Sequence, residues 1–411
     1  MKTGIYKFVV KTLAGLEQVL AGELHDLKIG EIEVLRRGVS FSGTLEDMYK
    51  VNMHCRTAIS VLKQIGAFAF HTREEFYEQM KSIAWEQYFQ VSKSLVITSV
   101  ATRSELFSHT LYLAQLTKDA IADHFREVCG ERPTVSKDEA DIRISVYVNG
   151  DNCIVSLDSS GEPLFKRGYR RQGGEAPLNE VLAAGLILLS GWDKAGAFID
   201  PMCGSGTFSI EAALMARNIA PGSLGRSFSF EHWTDFNAEL WSSVVQEARR
   251  QIVNNNLNIW ASDINPKAVE LTRKNIMEAG LLGQIKLQRT DFFRFSPPNA
   301  PGWIILNPPY GQRLKYDDLA QYYKRIGDTL KTLYPGYKAG IISSDISSIK
   351  SIGLKSLSRT TVFNGALECK FMVFDLFRGT HKDHVVATRP KRKRLDPLSS
   401  GPLIAGGDSD L

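Results

Sequence analysis

The chain is poor in the residues that build cross-linked or metal-stapled folds. Its five cysteines (Cys55, Cys129, Cys153, Cys203 and Cys369) are scattered, with no CxxC pair and no histidine cluster beside them. That pattern excludes a disulfide framework and a structural zinc site. The eight histidines show no ligand spacing, so no metal is expected. Nowhere does an apolar run reach the roughly 18 residues that a membrane helix needs. Met1 to Ile5 do not lead into the apolar stretch of a signal peptide, and a cytoplasmic location is expected. There is no internal repeat.

What remains is an ordinary globular composition, 43% hydrophobic and 23% charged, in 411 residues, which is too long for one core and favours several domains. The net charge of +5 permits a polyanionic partner without requiring one. The cations cluster. Lys166, Arg167, Arg170 and Arg171 surround Tyr169, and cations interleaved with an aromatic suit RNA contact. Lys391 to Arg394 open a Pro- and Gly-containing tail that reads as a disordered segment, either an RNA tether or plain solvated chain.

Up to about residue 163 short helices and strands are mixed in small α+β units. Leu13, Leu16, Val19, Leu20 and Leu24 keep helical spacing, and Leu111 to Phe125 reads as an amphipathic helix. Ser94 to Val100, Ile142 to Val148 and Cys153 to Leu157 read as strands. From Pro177 the style changes to apolar strands alternating with helices, which implies a parallel, doubly wound sheet. Its strands are Ala197–Asp200, Ile259–Asp263, Ile285–Leu287, Trp303–Leu306 and Ala339–Ser343. Ser356 to Phe363 and Glu368 to Phe377, joined through Asn364-Gly365, read as a hairpin at the sheet edge. The expected division is 1–60, 61–163, 164–378 and a basic tail, 379–411.

Asp200-Pro201-Met202-Cys203-Gly204-Ser205-Gly206-Thr207 follows the first of these strands and opens a helix. Gly204 and Gly206 let the backbone turn tightly beside a ligand, at the carboxyl end of a strand where open α/β sheets bind theirs. Alone, such a turn is weak evidence. Asp263, followed by Ile264, ends the second strand, where a carboxylate can accept both ribose hydroxyls. Asp291-Phe292 follows the third, a carboxylate and an aromatic suited to an adenine. The third glycine of a dinucleotide fingerprint is missing, and Asp200 would repel a pyrophosphate. The pattern favours a zwitterionic, positively charged cofactor, S-adenosylmethionine, over a nicotinamide dinucleotide. Cys203 has no accompanying base and reads as a small filler, not a nucleophile.

Asn307-Pro308-Pro309-Tyr310-Gly311 ends the fourth strand and is the most specific signal in the chain. The prolines fix φ and remove backbone donors, so the loop is rigid. The Asn307 side-chain oxygen and the Pro308 carbonyl can converge on one amino group, and Tyr310 can stack on the base that carries it. Two acceptors on an aromatic amine draw its nitrogen toward pyramidal geometry and aim the lone pair at a methyl donor. Catalysis then comes from orientation and fixed dipoles, with no strong base required. The run Phe228, Phe230, Trp233, Phe236 is read as packing in preference to base stacking.

Together these motifs resemble the class I amino-methyltransferases that modify guanine N2. Lys166 to Arg170 followed by Ala176-Pro177-Leu178-Asn179-Glu180 resembles the entry to the catalytic domain of the THUMP-containing RNA methyltransferases. Ser104 to Gly130 resembles the central helix region of a THUMP domain, and Ala366 to Lys370 that family's closing strand. The resemblance is greatest to the bacterial group that makes N2-methylguanosine in 23S ribosomal RNA. It implies a ferredoxin-like N-terminal unit, a THUMP domain and a Rossmann-like class I methyltransferase sheet of seven strands, the last antiparallel. It also implies S-adenosylmethionine, bound through Asp200, Pro201, Cys203, Gly204, Gly206, Thr207, Asp263, Ile264, Asp291, Phe292 and Asn307, and an RNA substrate. Longer members carry a second methyltransferase module, so a single methylation is expected here. The family also includes tRNA enzymes. A DNA adenine-N6 enzyme would share the Asn-Pro-Pro-Tyr logic, and a non-catalytic ribosome-assembly factor would share only the fold.

Overall fold

The structure, a computed structural model, describes residues 4–136, 140–170, 178–298, 301–309 and 316–378. The tail expected to be disordered lies outside them. No helix among the described residues is long and apolar enough to cross a membrane.

Seven strands of the first half form one sheet. They are β1 (Tyr6–Lys11), β2 (Glu33–Leu35), β3 (Gly38–Gly43), β4 (Ser60–Ala69), β5 (Leu95–Thr102), β6 (Ile142–Asn149) and β7 (Asn152–Asp158), in the order β2-β3-β1-β4-β7-β6-β5. Helices α1 (Glu17–Asp26), α2 (Leu45–His54), α3 (Arg73–Lys81) and α4 (Thr110–Cys129) connect them. Strand β4 belongs to both parts of the sheet. Its start pairs with β1 (Lys11 opposite Ser60) and its length with β7 (Leu62 opposite Asp158, Ala69 opposite Asn152). Parallel β5 and β6 need a crossover, which α4 supplies; Gly130, at φ +78°, ends that helix in the left-handed conformation.

The second half contains α5 (Glu180–Ser190), β8 (Ala197–Asp200), α6 (Thr207–Ala216), α7 (Ala238–Arg250), β9 (Ile259–Asp263), α8 (Pro266–Glu278) and β10 (Ile285–Arg289). There follow β11 (Gly302–Leu306), α9 (Tyr316–Leu333), β12 (Lys338–Ser343), α10 (Ile346–Ile349), β13 (Ser356–Asn364) and β14 (Leu367–Asp375). The sheet order is β10-β9-β8-β11-β12-β14-β13. The pairs from β10 to β12 are parallel, and β14 runs antiparallel to both its neighbours. The hairpin expected at the edge therefore inserts its second strand. Cys369, Phe371 and Val373 of β14 are buried, whereas β13 is largely open to solvent, so burial decides which strand lies inside. The chain winds from β8 outward to β10, then returns to β11 on the other side of β8. That reversal opens a crevice at the carboxyl ends of β8 and β11.

The two halves are locked together. Leu16, at the start of α1, is fully buried over Gly185 of α5, where an added Cβ would lie 2.5 Å from the leucine side chain. The segment between α6 and β9 crosses into the N-terminal core. Phe230 packs on Tyr49 (centroids 4.6 Å), Phe228 (5.1 Å) and Trp241 (5.0 Å). Lys63, buried in β4, pairs with Asp235 and lies 4.1 Å from the centre of the Tyr6 ring. Phe228, Phe230 and Trp233 are buried, so the run expected to pack does so. Phe230→Ala is expected to cost about 3–5 kcal/mol in urea unfolding followed by tryptophan fluorescence. A loss below about 1 kcal/mol would show that the aromatic insert does not join the halves.

Candidate functional site

The turn after β8 is held from the side by α8. Gly204 and Gly206 have φ of +54° and +79°, and a Cβ on Gly206 would come within 2.6 Å of Thr272 Cγ2, so glycine is required there both for its conformation and for lack of space. The Thr272 hydroxyl donates to the Gly204 carbonyl (2.9 Å) and the Asn275 amide to that of Ser205 (2.8 Å). At the end of β9, Asp263 accepts the Gly204 N–H through Oδ2 (3.0 Å) and the Asn265 N–H through Oδ1 (2.8 Å). Asn265 in turn caps α8.

These groups wall a cavity of about 760 Å³ at the crevice. From the turn after β8 come Pro201, Met202, Cys203, Gly204, Ser205 and Thr207. Asp263 ends β9 and Ile264, Asn265 and Lys267 follow it, Asp291 and Phe292 follow β10, and Asn307 and Pro309 follow β11. Ends of four strands thus converge on one space. Asn307 Oδ1 is buried and has no hydrogen-bond partner among the described residues. A buried acceptor left unpaired costs about 1–3 kcal/mol, so this atom is held ready for a donor that the described residues do not supply. No group of three metal-capable side chains occurs among the described residues.

Several expected site residues stand elsewhere. Asp200 is buried behind the turn, not on the cavity wall; its carboxylate accepts the Ser209 N–H of α6 (3.2 Å). Gly206 shapes the turn, and Pro308 is buried; neither lines the cavity. Phe292 borders the cavity while lying mostly in the core against Tyr334. Burial pushes the Cys203 thiol up, well out of the range of a nucleophile. Tyr310 and Arg171 lie outside the described residues.

The cationic segment corrects the RNA-contact expectation most sharply. Arg167 is buried, donating to the carbonyls of Leu164 (2.7 Å) and Arg56 (2.5 Å) and lying 3.5 Å from Glu211. Tyr169 is buried and donates to Glu211 (3.1 Å). Arg170 donates to Thr207 Oγ1 and to the Leu178 carbonyl, both at 2.9 Å. Only Lys166 of the four described is exposed, and it pairs with Glu162. The side chains of Arg167, Tyr169 and Arg170 serve the junction between the halves, because they turn in toward Arg56, Leu178 and the α6 residues Thr207 and Glu211.

The sequence reading missed Leu178, Met202, Lys267 and Tyr322, all of which line the cavity. Tyr322 reaches it from α9, its hydroxyl 3.9 Å from Met202 Sδ and its ring edge-on to Phe293 (5.6 Å). Nothing but its position after the Asn-Pro-Pro-Tyr loop could have marked it, since α9 is strongly amphipathic and the residue reads as packing.

Residues 167–372 match the family described as "RMKL-like, methyltransferase domain". Residues 7–62 match an RlmL ferredoxin-like domain and 70–158 a THUMP domain. The chain is 38% identical over 370 residues to "Ribosomal RNA large subunit methyltransferase K/L" of Methylococcus capsulatus, covering 88% of this chain and 50% of that protein. It spans about half the length of the K/L relatives it matches. It is 34% identical to "Putative RNA methyltransferase slr0064" of Synechocystis sp., covering 88% of this chain and 95% of that one. Among solved structures it resembles "SMU.472, a putative methyltransferase complexed with SAH", at TM-score 0.82 and 31% identity over 92% of this chain and 100% of that one.

Burial pushes the Asp200 carboxyl up to about 7, the Asp263 charge adding to the rise and the Ser209 hydrogen bonds opposing it. The folded protein therefore holds this proton more tightly than the unfolded chain. Its contribution to stability is fully present below about pH 4 and is lost as the pH rises to about 7, on the order of a few kcal/mol in all. Asp200→Asn lacks this slope. Unfolding free energies from pH 4 to 8 are expected to show the unsubstituted protein losing ground against the variant up to about pH 7; a constant gap would refute the assignment.

Proposed function

We propose, from the premise that the chain belongs to the RMKL-like methyltransferase family and carries its ferredoxin-like and THUMP domains, that it transfers a methyl group from S-adenosylmethionine to guanine N2 of RNA, with 23S ribosomal RNA as the substrate. The observation that carries this reading is the unpaired, buried Asn307 Oδ1 on the wall of the same cavity as Gly204 and Asp263. The cavity fits the donor. Asp263 already holds the glycine turn and Asn265 with one bond per oxygen, and each oxygen keeps a free lone pair for a ribose hydroxyl. Asp291 and Phe292 offer a carboxylate and a ring edge beside it. The sulfonium supplies an electrophilic methyl carbon when the donor is bound.

The residues of the chain do the rest by placement. Asn307 Oδ1 accepts an N–H of the guanine amine, and Pro309 walls the space beside it. The nitrogen lone pair forms the N–C bond, the C–S pair stays with sulfur, and the amine proton leaves to solvent. Neither proline has an N–H to compete for Asn307 Oδ1, and fixed dipoles need no reorganisation as charge develops. Tyr310 stacks on the base in this reading. Partner and place follow from it: RNA held by the THUMP domain, in the cytoplasm. We divide the chain at 60/61, 163/164 and 378/379.

Asn307→Ala is expected to lower kcat about 100-fold or more, while calorimetry finds the affinity for S-adenosylhomocysteine within a few-fold of the unsubstituted protein. Unchanged methyl transfer would remove Asn307 from the mechanism. Asp263→Ala is expected to weaken the same ligand roughly tenfold or more through loss of charge-assisted hydrogen bonds; an unaltered titration would refute that role. Nucleoside mass spectrometry of 23S ribosomal RNA, transfer RNA and DNA from a deletion strain should show N2-methylguanosine lost from the first alone. Loss from transfer RNA, or of N6-methyladenine from DNA, would overturn the substrate assignment.

A further inference from the structure

The guanidinium of Arg170 sits where three elements meet. Its Nη2 donates to the Leu178 carbonyl just before α5 and to the hydroxyl of Thr207, the first residue of α6, both at 2.9 Å, and lies 3.2 Å from Glu180 Oε1 in α5. Leu178 and Thr207 both line the cavity. Thr207 Oγ1 is also 3.2 Å from the hydroxyl of Ser205, another wall residue. A threonine hydroxyl has one proton and two lone pairs. Arg170 occupies one lone pair, which fixes where Oγ1 of Thr207 sits and leaves its proton and second lone pair for Ser205, either hydroxyl of that pair being able to donate to the other.

We propose that Arg170 is a positioning residue for the methyl donor: from behind the wall it ties Leu178, just before α5, to Thr207, at the start of α6, and so holds the Thr207–Ser205 hydroxyl pair in place against the bound donor. The inference rests on the reading of the cavity as an S-adenosylmethionine site. It also replaces the surface role suggested by the cationic run. The arginine side chain is only 14% exposed, and its charge is answered by Glu180 at 5%, so little of it is left for a phosphate. Lysine cannot take its place in full, because a compact ammonium on a flexible stem is not held in one plane as Nη2 is within the guanidinium.

The test uses the full chain with S-adenosylhomocysteine as calorimetric ligand and 23S ribosomal RNA as the nucleic-acid probe. Arg170→Lys is expected to weaken the ligand about tenfold and to raise the KM for the methyl donor more than it lowers kcat. RNA affinity, and its dependence on salt, should stay as in the unsubstituted protein. Thr207→Val approaches the same contact from the helix side and should lose a similar factor, and the double variant should lose less than the product of the two. Full ligand affinity in Arg170→Lys would overturn the proposal. So would a salt slope reduced by about 1, the signature of a lost phosphate contact, or a lower melting temperature with KM and kcat unchanged, which would mark a merely structural role. If the unsubstituted protein fails to bind S-adenosylhomocysteine, the reading of the cavity itself fails, and the proposal with it.

Discussion

A parallel sheet whose strand order reverses cannot close over its own carboxyl edge. With β8 flanked by β9 on one side and β11 on the other, the helices that follow β8 and β11 pass to opposite faces, and the loops between them are forced apart. Everything chemical in the second half is arranged around that gap. The glycine turn, Asp263, Asp291 and Asn307 lie on four different loops, and they meet because four strands end at one level. The register of the sheet, not any local preference, sets their separation. The hydrogen bonds from Thr272 and Asn275 of α8 to the turn carbonyls then keep the loop after β8 from relaxing into the space.

The N-terminal half is fastened to this sheet by two different kinds of contact. One is apolar: Phe228, Phe230 and Trp233, carried on a segment of the catalytic half, complete the N-terminal core. The other is a buried charge network. Arg56 is buried and donates from its guanidinium to the Ile219 carbonyl (2.8 Å), its backbone N–H donates to Glu23 (2.7 Å), and Arg167 and Tyr169 converge on Glu211. Such a network contributes little net stability, since desolvation offsets most of the attraction, but removing one partner strands the other. It is specific in a way apolar contact is not: a shifted linker would leave buried charges unpaired. Arg167 and Tyr169 are thereby fixed in place, and with them Arg170 behind the cavity wall.

Much of this was legible in the residues. Strand and helix order from Ala197 to Ser343 follows from runs of apolar residues punctuated by glycine, proline and aspartate, because local periodicity reports burial directly. The Gly204–Gly206 turn and Asn307-Pro308-Pro309 were recognisable because backbone conformation there permits few residue types. Asp200 was misplaced by the same reasoning: a carboxylate at a strand end can face the ligand or the helix behind it, and sequence does not say which. Arg167 and Tyr169 misled because a run of cations looks alike whether it is solvated or buried among carboxylates that lie tens of residues away.

The sequence by itself therefore determined the order of elements, the class of sheet and the two tight motifs at its edge, all properties written within a few residues of each other. Only the tertiary structure decided that β4 serves two parts of one sheet, that an aromatic insert of the catalytic half fills the N-terminal core, and that Tyr322 and Arg170 stand at the cavity. Arg170 reaches the cavity only through the wall residues it holds, and those facts depend on pairings such as Lys63 with Asp235 and Arg170 with Thr207. Their partners are far apart along the chain, and nothing local reveals a pairing that depends on how the whole molecule packs.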